Sequence, residues 1–354
     1  MTTSPFISVL MPIRNEAHYI WRSLGAVLAQ DYPLDRLEVI VADGMSTDGT
    51  REIVQTLQGQ YPNLHLVDNH DRIVPISLNA ALRQAKGDII IRVDGHCEIA
   101  PDYVRRCVEH LQRHEVGGVG GPLETVGETP LAQAIAVAMS TPFGVGGSPF
   151  RTIRQRTLLV DSVAFPAYPR TVLDDAGPFD EELVRNQDDE YNYRLRKLGG
   201  RILLSPRIRS RYYSRSSLLS LWRQYFQYGF WKVRVAQKQK LQMQPRQFVP
   251  PAFVLTLLIL VLATIFSSTA GWFLLTICAI YLITNLAASI AVARSQEVQT
   301  PVLLPLCFAT LHVSYGLGFL WGSLRFAGRW RQNVDQPRRT PVPALGQKGK
   351  VHSP

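Results

Sequence analysis

The sequence predicts an α/β domain with a mostly parallel sheet, followed by an interfacial helix and C-terminal transmembrane helices. Three observations carry this prediction. Short β-type apolar runs alternate with helically spaced segments through the first half of the 354 residues. Three long stretches of the C-terminal third contain no Asp, Glu, Lys or Arg. Charge divides between the halves: residues 1–190 hold 16 Lys and Arg against 26 Asp and Glu, whereas residues 191–354 hold 22 against 2.

In chain order, residues 7–11 (ISVLM) and 37–42 (LEVIVA) read as strands. Between them, residues 18–30 place Ile20, Leu24, Val27 and Leu28 at helical spacing. A turn leads into a helix at 51–57, then a strand at 64–67, a helix at 75–85 and the strand 88–93 (DIIIRV). Strands that alternate with helices favour parallel pairing with both sheet faces covered, and this α/β unit is expected over residues 1–215. No internal repeat interrupts it.

Residues 216–246 form an amphipathic basic segment. Leu218, Trp222, Tyr225, Phe226 and Val233 fall near one helical face, with Arg223, Lys232 and Arg234 among them. The pattern fits a helix lying in a membrane interface, and it also fits an ordinary amphipathic core helix. A membrane domain follows over 247–326, with apolar segments 249–267, 271–293 and 301–324. Each is long enough for a bilayer span of about 17–25 residues. The third is the most polar, through Pro305, His312, Ser314, Gly316 and Gly318. Basic flanks mark the cytoplasmic side. Residues 194–246 carry 14 Lys and Arg with no acid, and Arg325, Arg329, Arg331, Arg338 and Arg339 follow the last segment. Three full spans would put these flanks on opposite sides, so either the third segment is re-entrant or the C-terminal charges lose the contest. Residues 327–354 read as a flexible basic tail.

Composition excludes several classes. With 46% hydrophobic residues the chain can bury a core, which rules out disorder. Cys97, Cys107, Cys278 and Cys307 have neither CxxC nor metal-ligand spacing, so reduced and mostly buried thiols are expected. No secretory leader is expected, because the first apolar run is short and lacks a basic preface. The basic half borders apolar spans, which favours anionic lipid over nucleic acid as its partner.

Three acidic clusters carry the chemistry, and ligands of open α/β sheets sit beyond the carboxyl ends of strands. Asp43, in VIVADGMSTDGT, ends the second strand; a carboxylate leaving a buried strand needs a partner. Ser46, Asp48 and Gly49 behind it suit a turn and helix start. Asp94 and His96, in RVDGH, leave another strand two residues apart and can reach one divalent cation, although Asp-Gly is also a common turn pair. Asn186–Glu190 (NQDDE) opens a helix stopped by Gly199 and Gly200; its acids suit either a site or the helix dipole.

Taken together, the order of SVLMPIRNE, VADGMSTDGT, RVDGH and NQDDEYNYRL resembles the family-2 glycosyltransferases, which have the GT-A nucleotide-sugar-binding fold. The phrases TPFGVGGSPFR, VDSVAFPAYPR and AGPFDEELVRNQDDE are similar to those of succinoglycan-type exopolysaccharide glucosyltransferases. The resemblance covers about residues 6–235. It implies that Asp43 contacts the base of a nucleotide sugar, a UDP-sugar by default, with Pro12, Asn15 and Glu16 in the same pocket. It implies that Asp94 binds the diphosphate and a divalent metal, Mg²⁺ or Mn²⁺, with His96 in place of the second acid of a DxD motif. Asp188 falls at the catalytic base, with Gln187 where the family has Glu, so Asp189 is the alternative. Gln227 to Trp231 resembles the QxxRW motif of processive synthases, but Phe230 stands in place of Arg. Gln227 and Trp231 are therefore expected at the acceptor interface, and a processive synthase is disfavoured.

The chemistry agrees with these roles. Displacing a nucleoside diphosphate builds negative charge on the leaving phosphate, which a metal offsets as a Lewis acid. A carboxylate takes the acceptor hydroxyl proton, and a single displacement inverts the anomeric centre. Arg151, Arg154 and Arg156 suit either a diphosphate-bearing acceptor or a solvated loop. The sequence thus predicts a membrane-anchored inverting hexosyltransferase in exopolysaccharide or cell-envelope synthesis, multi-pass in the inner or plasma membrane, with its catalytic domain cytoplasmic. Its expected partners are a nucleotide-sugar donor, a lipid-linked or glycan acceptor, the membrane and polysaccharide-assembly proteins. A processive synthase and a non-catalytic nucleotide-sugar-binding membrane scaffold are the rival readings.

Overall fold

The computed structural model describes residues 4–239, 242–296 and 298–330. Most of the segment expected to be a tail, residues 331–354, lies outside them. The first half alternates as its periodicity predicts: β1 (Ile7–Ile13), helix Ile20–Leu28, β2 (Leu37–Asp43), helix Thr50–Gln58, β3 (Leu64–Asp68), helix Val74–Gln84 and β4 (Ile89–Arg92). Short strands follow: β5 (Cys97–Ile99), β6 (Gly118–Gly121), β7 (Leu123–Val126), β8 (Leu158–Val160), β9 (Ala164–Pro169), β10 (Ile202–Leu204) and β11 (Ser210–Tyr213).

Eight strands form one sheet in the order β3-β2-β1-β4-β9-β6-β10-β8. The β3-β2-β1-β4 half is parallel; β9 then runs antiparallel to both β4 and β6, and β8 antiparallel to β10. A second sheet, β5-β11-β7, covers one end. Both faces of the main sheet are buried, as its unbroken apolar strands require. Val9, Val39 and Ile91 pack into one core, and their neighbours Leu10, Ile40 and Ile90 into the other. This frame delivers the ends of β1, β2 and β4 to one edge, where the loops after them converge.

The acidic cluster opens the helix Gln187–Lys197. Helix Leu218–Lys238 follows, then Val249–Ala263, Ser268–Ser295 and Leu304–Arg325. Pro245–Ala263, Ser268–Ser295 and Pro301–Arg325 are each long and apolar enough to cross a membrane. The third apolar segment is one continuous helix, so no re-entrant turn breaks it. Leu218–Lys238 buries Leu221, Tyr225 and Val233 together with Lys232 and Arg234. All four cysteines are free; Cys97, Cys107 and Cys307 are buried and Cys278 is exposed.

Candidate functional site

The loops after β1 and β2 are knitted together. Asn15 accepts from the backbone N–H of Thr47 at 2.9 Å and donates its own N–H to Ser46 Oγ at 2.9 Å. Asp48 accepts from the N–H of Ala17 at 3.1 Å and from Thr50 Oγ1 at 2.5 Å, while Thr50 Oγ1 accepts from the N–H of Glu16 at 2.8 Å. Burial raises the Asp48 carboxyl, but these donors outweigh it and hold the group below the usual carboxylate range. Ser46 and Asp48 are thus turn-forming residues, and their bonds fix the path of residues 14–17.

Asp43 is fully buried, and its need for a partner is met inside the protein. Ser46 Oγ donates to Oδ1 at 2.5 Å, and Arg51, the second residue of the following helix, lies 3.2 Å from Oδ2 and 2.7 Å from Asp68. Of the residues expected to hold a nucleotide sugar, Asp43 is the one that does not line the cavity; Pro12, Asn15, Glu16 and Asp94 do.

That cavity measures about 1070 Å³, large enough for a nucleotide-sized ligand together with a second substrate. Asp94, His96, Asp188 and Asp189 all line it. Gly95 lets the loop after β4 close over β1, since a Cβ there would stand 2.9 Å from Glu16 Cγ. His96 Nδ1 lies 2.8 Å from Glu16 Oε1, so the expected metal residue and the expected nucleotide residue form one pair.

Arg92, the last residue of β4, joins the second and third acidic clusters. Its Nε and Nη2 donate to Asp94 Oδ1 at 3.0 and 2.9 Å, and Nη1 pairs with Asp188 Oδ1. The guanidinium is buried, and these two carboxylates offset the cost of taking its charge out of water. Asp189 takes a different partner, Lys232 Nζ at 2.8 Å, from the helix Leu218–Lys238. Glu190 turns away from the cavity into an ion pair with Arg194 at 2.9 Å. Asn186, in the left-handed region at φ 62°, sets this divergence and donates to the Tyr228 carbonyl at 2.8 Å.

The far wall is basic, then apolar. Arg151 and Arg215 line the cavity and have no carboxylate within ion-pair distance among the described residues. Burial opposes the charge of Arg215, but Tyr212, Tyr228 and Glu16 around it hold its proton more firmly than usual. Arg151 Nη1 and Gln224 Oε1 are buried without a hydrogen-bond partner among the described residues. Arg154 and Arg156 are exposed, as a solvated loop predicts. Beyond these, the wall is made by Phe253, Tyr281, Leu311 and Tyr315 of the apolar helices.

Gln227 lines the cavity and accepts from Arg185 Nε at 3.0 Å. Trp231 lies elsewhere: it packs beside Phe230 and against Phe326, with ring centroids 5.7 Å apart for the latter pair. Arg92 and Arg215 carried no weight in the sequence reading. The signal for Arg92 was present, as one charge ending the apolar strand IIIRV; Arg215 had none, since only the tertiary path brings it here.

A divalent metal fits the residues present. Asp94 Oδ2 and the His96 Nε2 face carry no hydrogen bond among the described residues, and both side chains line the cavity. One carboxylate oxygen and one imidazole nitrogen suit Mn²⁺ or Mg²⁺. No group of three or more His, Cys, Asp or Glu able to hold a metal occurs among the described residues, so other ligands would have to come from a substrate or water.

Comparison with known proteins gives the lineage. The model of glycosyl transferase family 2 matches residues 8–173. Succinoglycan biosynthesis protein ExoA of Rhizobium meliloti (strain 1021) is 29% identical over 346 residues, which covers 95% of this chain and 98% of that protein. A Methanococcus voltae protein, dolichyl N-acetyl-alpha-D-glucosaminyl phosphate 3-beta-D-2,3-diacetamido-2,3-dideoxy-beta-D-glucuronosyltransferase, is 31% identical over 232 residues, 63% of this chain and 72% of that protein. Mannosyltransferase PcManGT from Pyrobaculum calidifontis, solved with GDP-Man and Mn²⁺, aligns with a TM-score of 0.56 at 23% identity over 90% of this chain and 88% of its own. With its sheet order, the loops that meet at the ends of β1, β2 and β4, and these relatives, the chain belongs to glycosyl transferase family 2 and is a glycosyltransferase of the GT-A fold.

Proposed function

We propose that this glycosyltransferase is membrane-anchored and inverting, and that it moves a sugar from a nucleoside diphosphate sugar to a lipid-linked acceptor in exopolysaccharide or cell-envelope synthesis. One observation carries the reading: a single cavity is lined both by the loop Pro12–Glu16, Asp94 and Asp188 and by Phe253, Tyr281 and Tyr315 of the apolar helices. Its polar lining suits a water-borne donor, and its apolar helices suit an acceptor carried in lipid. The names of the relatives, one in succinoglycan biosynthesis and one acting on a dolichyl-linked sugar, agree with such an acceptor.

In this reading Pro12, Asn15 and Glu16 hold the nucleotide, above a turn that Asp43 and Arg51 fix from beneath. UDP is the default donor nucleotide. Asp94 and His96 hold a divalent metal, which offsets charge on the departing diphosphate when bound. Asp188 takes the proton of the acceptor hydroxyl as that oxygen attacks the anomeric carbon from the face opposite the diphosphate; one such displacement inverts the centre. Arg92 holds Asp188 and Asp94 in a fixed relation. Asp189, paired with Lys232, is the alternative base. Arg151 and Arg215 pair with acceptor phosphate, and Gln224 Oε1 accepts from a sugar hydroxyl.

The test uses membranes containing the protein, a panel of nucleotide sugars, Mn²⁺ or Mg²⁺, and lipid extract. Release of nucleoside diphosphate from one donor, dependent on metal and lipid, is the expected result. Asp188→Asn should lower transfer by about 10²–10⁴-fold while metal-dependent nucleotide binding persists; full activity would remove the base assignment. Asp94→Ala should weaken that binding, and unchanged affinity would remove Asp94 from the metal site.

A further inference from the structure

The three apolar helices differ in what they touch. Large apolar side chains project into the surroundings along the first two, such as Ile259 and Leu262 in Val249–Ala263, and Phe273, Leu275 and Ile283 in Ser268–Ser295. Only 11% of the most apolar stretch of each is buried, against 44% for Pro301–Arg325.

The third helix is tied to the α/β domain along its whole length. At its start, Thr300 Oγ1 donates to the Pro130 carbonyl at 3.3 Å. Midway, His312 Nε2 lies 2.8 Å from the Phe143 carbonyl, and Phe308 meets the Phe143 ring edge-on. At its end, Arg329 pairs with Glu182 at 2.8 Å, and Gln237 donates to the Phe326 carbonyl at 2.8 Å. Along one side it lies against Leu218–Lys238 with almost no space: a Cβ on Gly229 would stand 2.1 Å from the Tyr315 carbonyl oxygen, and one on Gly318 2.0 Å from that of Phe226.

A helix of 22 residues spans about 33 Å, enough to put its ends on opposite faces of a bilayer. Pro130 and Glu182, which hold those ends, belong to one folded domain. If the helix crossed, that domain would have to stand on both sides. Its close neighbour Leu218–Lys238 would also be drawn into hydrocarbon with Arg223, Lys232, Arg234 and Lys238, which the bilayer interior disfavours.

We infer that only the helical hairpin 249–295 enters the lipid, and that Leu304–Arg325 lies under the α/β domain at the membrane surface, on the side where that domain stands. This rests on the membrane-anchored reading. A hairpin returns the chain to the side from which it left, so the basic residues 194–239, Arg246, Arg325 and Arg329 share one face. The conflict between three spans and two basic flanks then disappears. Exposed Leu306, Trp321 and Leu324 are the side chains that meet the bilayer interface.

The experiment uses the full chain in sealed inside-out membrane vesicles, with Cys278→Ser to remove the exposed native thiol. Leu306→Cys and Leu324→Cys, one near each end of the helix, are labelled with a membrane-impermeant maleimide. A fluorescent reporter after Pro354 reads the side of the C-terminus independently. Labelling of both cysteines from the outside of these vesicles, with the reporter on the same face as the α/β domain, is expected. If either cysteine reacts only from the lumen or from neither face, or the reporter stands opposite the domain, the inference fails while membrane anchoring survives. Release of the chain by alkaline carbonate would overturn the membrane-anchored reading and this inference with it.

Discussion

Arg92 is the residue on which the candidate site turns. Its one guanidinium holds a carboxylate from the loop after β4 and another from the helix Gln187–Lys197, 94 residues apart in sequence at Asp94 and Asp188. An ammonium on a flexible stem carries the same charge but cannot serve two carboxylates in the fixed fork geometry. Arg92→Lys should therefore lower kcat tenfold or more at saturating donor, with the thermal midpoint little changed; kcat equal to wild type would show that the bridge does not position the base. The acids themselves were legible, because carboxylates at strand exits need partners. Their pairing was not. Sequence places Asp43 near a ligand, whereas the structure satisfies it with Ser46 and Arg51, and Trp231 turns from the expected acceptor interface to Phe326. Which of several possible partners a buried charge takes depends on side-chain paths that spacing along the chain does not encode.

At the scale of elements, periodicity found the strands that are buried on both faces and the helices that cover them, with ends within about two residues. It missed every strand from β5 to β11. All of these except the six-residue β9 have three or four residues, and β6 reads Gly-Val-Gly-Gly, which has little strand propensity of its own. Their pairing comes from the strands beside them. The helix Leu218–Lys238 shows a similar dependence on context. Its basic residues look like a lipid-facing stripe, yet Arg234 and Lys238 pair with Glu182, each at 2.7 Å. Burial raises the Glu182 carboxyl, but these partners outweigh it and hold it down to about 2. A depressed carboxylate stabilises the fold above its unfolded value of about 4.3, and that contribution is lost as pH falls toward 2. Thermal stability should therefore drop over this window, and Glu182→Gln should flatten the drop while lowering stability at neutral pH. An unchanged acid limb in the variant would assign the sensitivity to other groups.

For the whole molecule, the cavity joins a polar loop edge to the apolar helices without a partition between separate domains. In the proposed reaction, among acceptors short enough to dissolve in water, removing three or four methylenes from the hydrocarbon chain should raise KM by about 10²-fold, since each methylene taken out of water is worth about 0.8 kcal/mol. The donor KM should not move. Initial rates with a series of acceptors that differ only in chain length check this, and equal KM values across the series would mean that the apolar helices do not hold the lipid. Charge asymmetry and the three apolar segments made this division of labour visible in the sequence. The packing of the third helix against the domain was not visible, because the glycines that permit it read equally well as helix breakers or as membrane residues.

A site lined both by the loop Pro12–Glu16 and by Phe253, Tyr281 and Tyr315 of the apolar helices has a kinetic consequence. The two substrates in the proposed reaction never share a solvent, so the enzyme works as a phase-transfer catalyst. The concentration that governs acceptor capture is its mole fraction in the surrounding lipid, not its amount per litre. Adding inert lipid at constant total acceptor should slow the reaction, because the acceptor is diluted in two dimensions while the donor's concentration stays the same.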